Sequence, residues 1–200
     1  MIETNGWSIP HLTEDESKIA VIDLETTGLD PTDCIVEVGV CELDTETGDV
    51  QKLLDMVVKE DRFCIDTHRY AWVFDHSSLK AEDIVHAAPW KFAARELNQL
   101  LEEYPVTAFN KAFDLAFLRV RDLVPKVELP CPMVKATNVL KIPGPYGYKW
   151  PTLEEAWEHY MPGLDYEEQH RAFDDALHEA LLIWAMHNVG DYAFDKVVIR

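Results

Sequence analysis

The sequence predicts an α/β domain built on a mixed β-sheet, and three observations predict it. Residues 18–24 (KIAVIDL) form a short β-branched run with the composition of a buried strand. Two further strand-like runs follow, residues 35–43 and 50–58, parted by the turn-forming DTETGD. They pair best as an antiparallel hairpin. Beyond them, strand and helix patterns alternate, which is how helices come to lie on a sheet.

Each element has its own reason. Residues 1–17 read as a flexible arm ahead of a domain spanning 18–200, with Trp7, Ile9 and Leu12 as the groups that would pin it. Residues 35–43 (IVEVGVCEL) alternate apolar and polar positions, as a half-buried strand does. Residues 62–78 show no period and read as irregular. Residues 80–104 read as largely helical, because Phe92, Leu97, Leu100, Leu101 and Tyr104 recur at helical spacing before Pro105. Residues 106–109 form a short apolar strand, and 112–123 a helix stopped ahead of Pro125. Residues 133–136 are expected to be another strand, and 141–151 (KIPGPYGYKWP) a loop. Thr152 and Glu155 make a capping box at the start of a helix. The last helix covers residues 172–188.

Composition narrows the class. The chain has 200 residues, 48 % hydrophobic and 28 % charged, which suits one globular domain and excludes disorder as the main state. No apolar run approaches the roughly 18 residues that a membrane span needs. The first residues are polar and acidic, without a signal-peptide pattern. Cys34, Cys41, Cys64 and Cys131 form no CxxC pair, which argues against a zinc site or a disulfide framework. Reduced thiols in a cytoplasmic protein are expected. The net charge of −19 repels nucleic acid at long range. Residues 106–150 run against it, with seven basic side chains and three acidic ones, a local +4 compatible with a polyanionic substrate.

Three short segments carry the chemistry. Asp23 and Glu25 are two apart at the end of the first strand, so they share a face. Neighbouring carboxylates repel unless a cation lies between them, and Mg²⁺ or Mn²⁺ favours such oxygen ligands. The plain alternative is two exposed acids in a turn with Gly28, Asp30 and Pro31. Asp114, in NKAFD, opens a helix after a short strand, where α/β sheets gather ligands; capping of the helix dipole explains it equally well. His170 and Asp175, in HRAFDD, are five apart, or about 140° net on a helix, so they cannot share a helical face. His170 therefore belongs on the loop before the helix. Asp174 with His178 is the rival pair, four apart on one face. His11, His68, His86, His159 and His187 read as surface or packing residues.

The order of these segments is informative. DLETTG, NKAFD and HRAFDDA together resemble the three motifs of the DEDDh, or DnaQ-like, 3′–5′ exonucleases, over roughly residues 18–188. That family includes polymerase proofreading subunits, exonuclease X, ribonuclease T and the TREX enzymes. The resemblance implies a ribonuclease H-like fold, with a five-stranded mixed sheet, one strand antiparallel, and helices on both faces. It implies that Asp23, Glu25, Asp114 and Asp175 hold two divalent metal ions, Mg²⁺ or Mn²⁺. It makes His170 the general base, and the family's H-x₄-D spacing selects Asp175 over Asp174.

The implied reaction is hydrolysis of phosphodiester bonds from the 3′ end of single-stranded nucleic acid, DNA ahead of RNA, releasing nucleoside 5′-monophosphates. Leu24, Thr26, Thr27 and Gly28, with His76, Asn110 and Phe113, become the substrate contacts. Leu24 and Phe113 would wedge or stack against bases, and Lys111, Arg119 and Arg171 would meet backbone phosphates. Tyr146, Tyr148 and Trp150, interleaved with Lys141 and Lys149, either form a stacking platform or pack inward. Phe109 stands where some relatives have a histidine. Expected partners are DNA or RNA 3′ ends and no membrane, with a homodimer or polymerase association left open, and proofreading or DNA repair among the roles. Two other classes compete: a catalytically silent nucleic-acid-binding or assembly module of the same fold, and an acidic interaction protein that mimics DNA. The first would have lost an acid or the histidine, and all five are present.

Overall fold

The structure is a computed structural model that describes residues 17–199. In chain order its elements begin with β1 (Lys18–Thr26), β2 (Ile35–Asp44) and β3 (Val50–Lys59). Three short helices follow, α1 (Ile65–His68), α2 (Trp72–His76) and α3 (Ala81–His86), then β4 (Ala88–Pro89), α4 (Trp90–Glu103) and β5 (Pro105–Thr107). The second half holds α5 (Lys111–Arg119), β6 (Val127–Glu128), α6 (Pro132–Leu140), β7 (Pro143–Gly144) and β8 (Gly147–Tyr148). It ends with α7 (Leu153–Tyr160), α8 (Ala172–Asn188) and β9 (Val197–Val198).

The main sheet has the order β4-β3-β2-β1-β5-β6-β9. β2 runs antiparallel to both β1 and β3, whereas β5 lies parallel to β1 and β6 parallel to β5. The expected mixed five-stranded arrangement is thus present as β3-β2-β1-β5-β6. The sheet nevertheless has seven strands rather than five, because the two-residue strands β4 and β9 extend its edges.

β1 is covered on both faces. Ile19 and Val21 pack with Ala176, Ala180 and Ile183 of α8 and Trp157 of α7. Ala20, Ile22 and Leu24 pack on the opposite side with Leu97 and Leu101 of α4 and Phe117 of α5. Double burial makes the run read as continuously apolar, and full burial of each Ile or Val side chain contributes about 1.5–3 kcal/mol. The odd-numbered face is the one that continues to Asp23 and Glu25.

Two local features set α8 down on this face. Gly39 of β2 lies opposite Asp23, and a Cβ there would come within 2.1 Å of the Ala172 carbonyl oxygen. Glu37, 1 % exposed, receives Arg171 Nη2 at 2.6 Å and Nε at 2.9 Å, and the Ala172 N–H at 3.2 Å. The first turn of α8 is therefore held on β2 by contact and by charge.

Several expectations need correction. Residues 133–136 are not a strand but lie inside α6, which Pro132 opens at its first turn, with β6 as the strand before it. Met133 and Ala136 face the core one helical turn apart, and so short an apolar run did not reveal its period. The expected single helix over 80–104 is split at Ala88–Pro89 into α3 and α4. Residues 62–78, expected to be irregular, contain α1 and α2, and the 141–151 loop folds into the β7–β8 hairpin. The capping box at Thr152 and the 172–188 helix form as expected. The arm over 1–17, with Trp7, Ile9, Leu12 and His11, lies outside the described residues apart from Ser17. The four cysteines are free thiols, and no described helix is long and apolar enough to cross a membrane.

Candidate active site

The site forms where β1 ends between an antiparallel neighbour, β2, and a parallel one, β5. Strand ends at such a switch are where α/β sheets bind ligands. The β1–β2 register slips between Glu25 and Thr26, a bulge of the kind that re-aims side chains beside active sites. Asp23 and Glu25 come from β1, Asp114 from the first turn of α5 and Asp175 from the first turn of α8. Asp114 is 2 % exposed, and its Oδ1 accepts the Leu24 N–H at 3.2 Å, tying α5 to β1. Asp175 accepts the Tyr166 hydroxyl at 2.9 Å and the Arg171 N–H at 3.0 Å.

Electrostatically this is a cluster of unbalanced acids. Burial pushes the Asp23 carboxyl well up, helped by the charges of Glu179, Asp114 and Glu25. Burial does the same to Glu25, with Asp175 and Glu37 adding to it. Asp114 is pushed up to about 7 by burial against two backbone N–H donors, and Asp175 to about 6 against Tyr166 and Arg171. None of the four pairs with a lysine or arginine among the described residues. Carboxylates buried without a counter-charge are costly, and a hard cation removes that cost. Ligand atoms of Glu25, His170 and Asp175 all lie within 4.8 Å of one another. The four carboxylates therefore make an oxygen donor set that fits divalent metal ions, with His170 beside it.

A cleft of about 520 Å³ opens over these acids. It is lined by the acids Asp23, Glu25 and Asp175, by Leu24, Thr26, Gly28, Leu29 and Phe113, and by Trp72, Glu168 and His170. His170 lies outside α8, on the preceding loop, in the left-handed region at φ 50°. For a residue other than glycine that conformation costs on the order of 1–3 kcal/mol and persists where surrounding contacts enforce it. Burial, then the neighbouring His76, lowers its pKa, which favours the neutral imidazole. Its ring meets Trp72 edge-to-face at 4.6 Å.

The structure brings Asp23, Glu25, His170 and Asp175 to one cleft, with Asp114 buried next to them on the Leu24 N–H, and disperses several of the other candidates. Leu24, Thr26, Gly28 and Phe113 line it. Thr27 instead bonds Cys34 through its backbone and hydroxyl, closing the loop after β1. Asn110 sits at the N-cap of α5 and makes no side-chain cap. His76 stacks on Trp72 behind the cleft wall. The cations expected at phosphates are engaged elsewhere: Lys111 and Arg119 both meet Glu128, and Arg171 clamps Glu37. His178 approaches its backbone-helix partner Asp174 at 3.4 Å, away from the cleft lining. Tyr146, Tyr148 and Trp150 are all exposed, so inward packing is excluded.

Sequence reasoning missed five neighbours. Glu179 lies one helical turn past Asp175, accepts the Phe109 N–H at 3.0 Å and is pushed well up by burial and by Asp114. Its spacing made it findable. Glu37 was findable too, as a charge inside an apolar strand. Tyr166 and Glu168 come from a loop without periodicity, and burial raises Glu168 to about 7. Trp72 precedes His170 by almost a hundred residues, with no motif around it.

The model of the RNase_T exonuclease family matches residues 20–183. The 3′-5′ exonuclease DinG of Bacillus subtilis (strain 168) is 25 % identical over 166 residues, which are 80 % of this chain but 16 % of DinG. The nuclease domain of 3′hExo, a DEDDh family member bound to rAMP, superposes with a TM-score of 0.65 at 17 % identity, covering 93 % of this chain and 99 % of that one. Exonuclease X in complex with 5′ overhanging duplex DNA gives 0.59 at 19 % identity, covering 88 % and 95 %. The likeness to the solved structures is one of fold, and the family match spans all four acids and the histidine, so the chain belongs to the RNase_T exonuclease family, of the DEDDh type.

Proposed function

We propose that residues 18–200 form a metal-dependent 3′–5′ exonuclease that shortens single-stranded ends, DNA ahead of RNA, and releases nucleoside 5′-monophosphates. One observation carries this reading: four carboxylates from three elements cluster without a cationic partner, three of them lining a cleft edged by His170. The family is divalent-metal dependent, and we assign Asp23, Glu25, Asp114 and Asp175 as the residues that would hold two ions, Mg²⁺ or Mn²⁺. When bound, the ions supply Lewis-acid stabilisation of the charge that develops on the phosphoryl group.

The protein's own residues do the rest. His170 accepts a proton from the attacking water as its oxygen bonds to phosphorus, and the bond from phosphorus to the 3′ oxygen of the shortened strand breaks. Tyr166 and the Arg171 N–H hold Asp175 in one orientation, and the Leu24 N–H holds Asp114. Leu24, Thr26, Gly28 and Phe113 present backbone and apolar surface to the terminal nucleotide. Among similar structures, exonuclease I of E. coli holds a dT13 oligonucleotide and exonuclease X an overhanging DNA duplex, whereas a 3′-exonuclease recognises a histone mRNA stem-loop, so both DNA and RNA enter the test.

The test is a paired digestion of matched 5′-labelled single-stranded DNA and RNA with Mg²⁺, Mn²⁺ or chelator, by wild type and Asp23→Asn. The expected result is a ladder that shortens from the 3′ end, faster on DNA, and is lost with chelator and in the variant. Binding of both strands without shortening would instead assign the chain as a silent binding module.

A further inference from the structure

Trp72 opens α2 and is 54 % exposed, yet its ring is held on two sides. His76 stacks on it, centroids 4.1 Å apart and planes within 12°. His76 is itself fixed, because its Nδ1 lies 2.9 Å from the Trp72 carbonyl oxygen, a side-chain bond back along the helix. The other contact of Trp72 is edge-to-face with His170, centroids 4.6 Å apart and planes at 74°. His170 has few other restraints. It lies on a loop in the left-handed conformation, and Glu168 Oε1 is 3.7 Å from its Nδ1, too far for a directional hydrogen bond. Yet it sits within 4.8 Å of the Glu25 and Asp175 oxygens, where ring orientation decides whether a nitrogen faces the reacting water.

We propose that Trp72 is a positioning residue that sets the ring plane of His170, with His76 as its backing. The inference rests on the exonuclease reading, in which His170 is the base. It also separates two roles that a cleft-lining tryptophan can play. A residue that stacks on a substrate base changes KM, whereas one that orients the base residue changes kcat.

Full-length wild type, Trp72→Ala, Trp72→Phe, His170→Ala and the Trp72→Ala/His170→Ala double variant are compared with Mg²⁺ on one DNA oligonucleotide. Thermal melts establish that each is folded. Trp72→Ala is expected to lower kcat by about 10–30-fold with KM held within about twofold, a part of what a general base contributes. Trp72→Phe, which keeps an aromatic edge, recovers to within about threefold of wild type. In the His170→Ala background the tryptophan change has no further effect, since the two act as one unit. A rise in KM with kcat intact, or an equal loss in the His170→Ala background, overturns the proposal and makes Trp72 a nucleotide-stacking residue.

A second readout does not depend on turnover. The ring protons of His170, assigned by comparison with His170→Ala, carry a ring-current shift from Trp72 in the NMR spectrum. Trp72→Leu is expected to move them towards free imidazole, and unmoved resonances overturn the contact. A wild type that digests no nucleic acid would sink the exonuclease reading, and the ring-proton result would still decide whether Trp72 holds His170.

Discussion

His170 shows how a single residue is placed by forces that its own position does not supply. Its left-handed backbone, the partial burial that lowers its pKa and the Trp72 edge beside it all come from neighbours. Replacing it by alanine removes the proposed proton acceptor and leaves the four acids in place. His170→Ala is therefore expected to lower kcat by about 10²–10⁴, with metal affinity retained, read by single-turnover digestion and by Mn²⁺ titration. Near wild-type turnover would remove His170 from the reaction. At this scale the motifs were legible. Asp23 and Glu25 share a strand face, and the five-residue offset from His170 to Asp175 demanded a loop histidine, as found. The phosphate contacts were not legible. Lys111, Arg119 and Arg171 looked available in sequence, but each has a buried or partly buried carboxylate that the chain brings from a distance. Charge pairing between a helix and a strand leaves no local spacing to read.

Elements bring the acids together, and the start of α8 is the most constrained of them. Its first turn rests on Gly39, and Arg171 forks onto Glu37, which sits opposite Glu25 on β2. Removing one partner of a buried pair strands the other, which typically costs about 3–5 kcal/mol; partial exposure of Arg171 puts Glu37→Ala nearer 2–4 kcal/mol. The variant is also expected to lower activity, because Asp175 and the Arg171 N–H that orients it ride on this turn. Chemical denaturation checks the first effect and digestion the second. A fully active, fully stable Glu37→Ala would show that packing on Gly39 alone seats the helix. β1 was readable because burial on both faces leaves an unbroken β-branched run, and α4 because burial on one face leaves a helical period. The short α1, α2, β4, β6 and β9 were not, since two to five residues carry no period and tertiary contacts decide their conformation. The cleft wall holding Trp72 belongs to that unreadable stretch.

The whole molecule concentrates its electrostatic cost in one place. The net charge is −19, but most acids are spread over the surface, whereas Asp23, Glu25, Asp114, Asp175 and Glu179 are gathered at the end of β1. In metal-free protein, burial raises Asp114 to about 7 and Asp175 to about 6, against an ordinary 3.8. A carboxyl whose folded pKa is raised binds a proton in the native state that the unfolded chain has already released. Stability of the chelated protein should therefore fall as pH rises from about 4 through 7. Asp44, held down to about 2 by Lys18, acts in the opposite sense and only below that window, losing its contribution as pH falls through about 4 to 2. Divalent ions held at the proposed site should reverse the loss. At a hundred times Kd they contribute about 2.7 kcal/mol, or a rise in Tm of about 5–10 °C at this chain length. Melting curves with EDTA and with Mg²⁺ at pH 5.5 and 8 test this, and the Mg²⁺ effect should be larger at pH 8. General self-repulsion of an acidic protein would also lower stability with pH. Asp114→Asn separates the two causes. It changes one charge among many, yet it should raise the melting temperature of the chelated protein at pH 8 while shrinking the Mg²⁺ shift. If the variant melts with wild type in EDTA, the cost lies in the overall charge and not in the metal site.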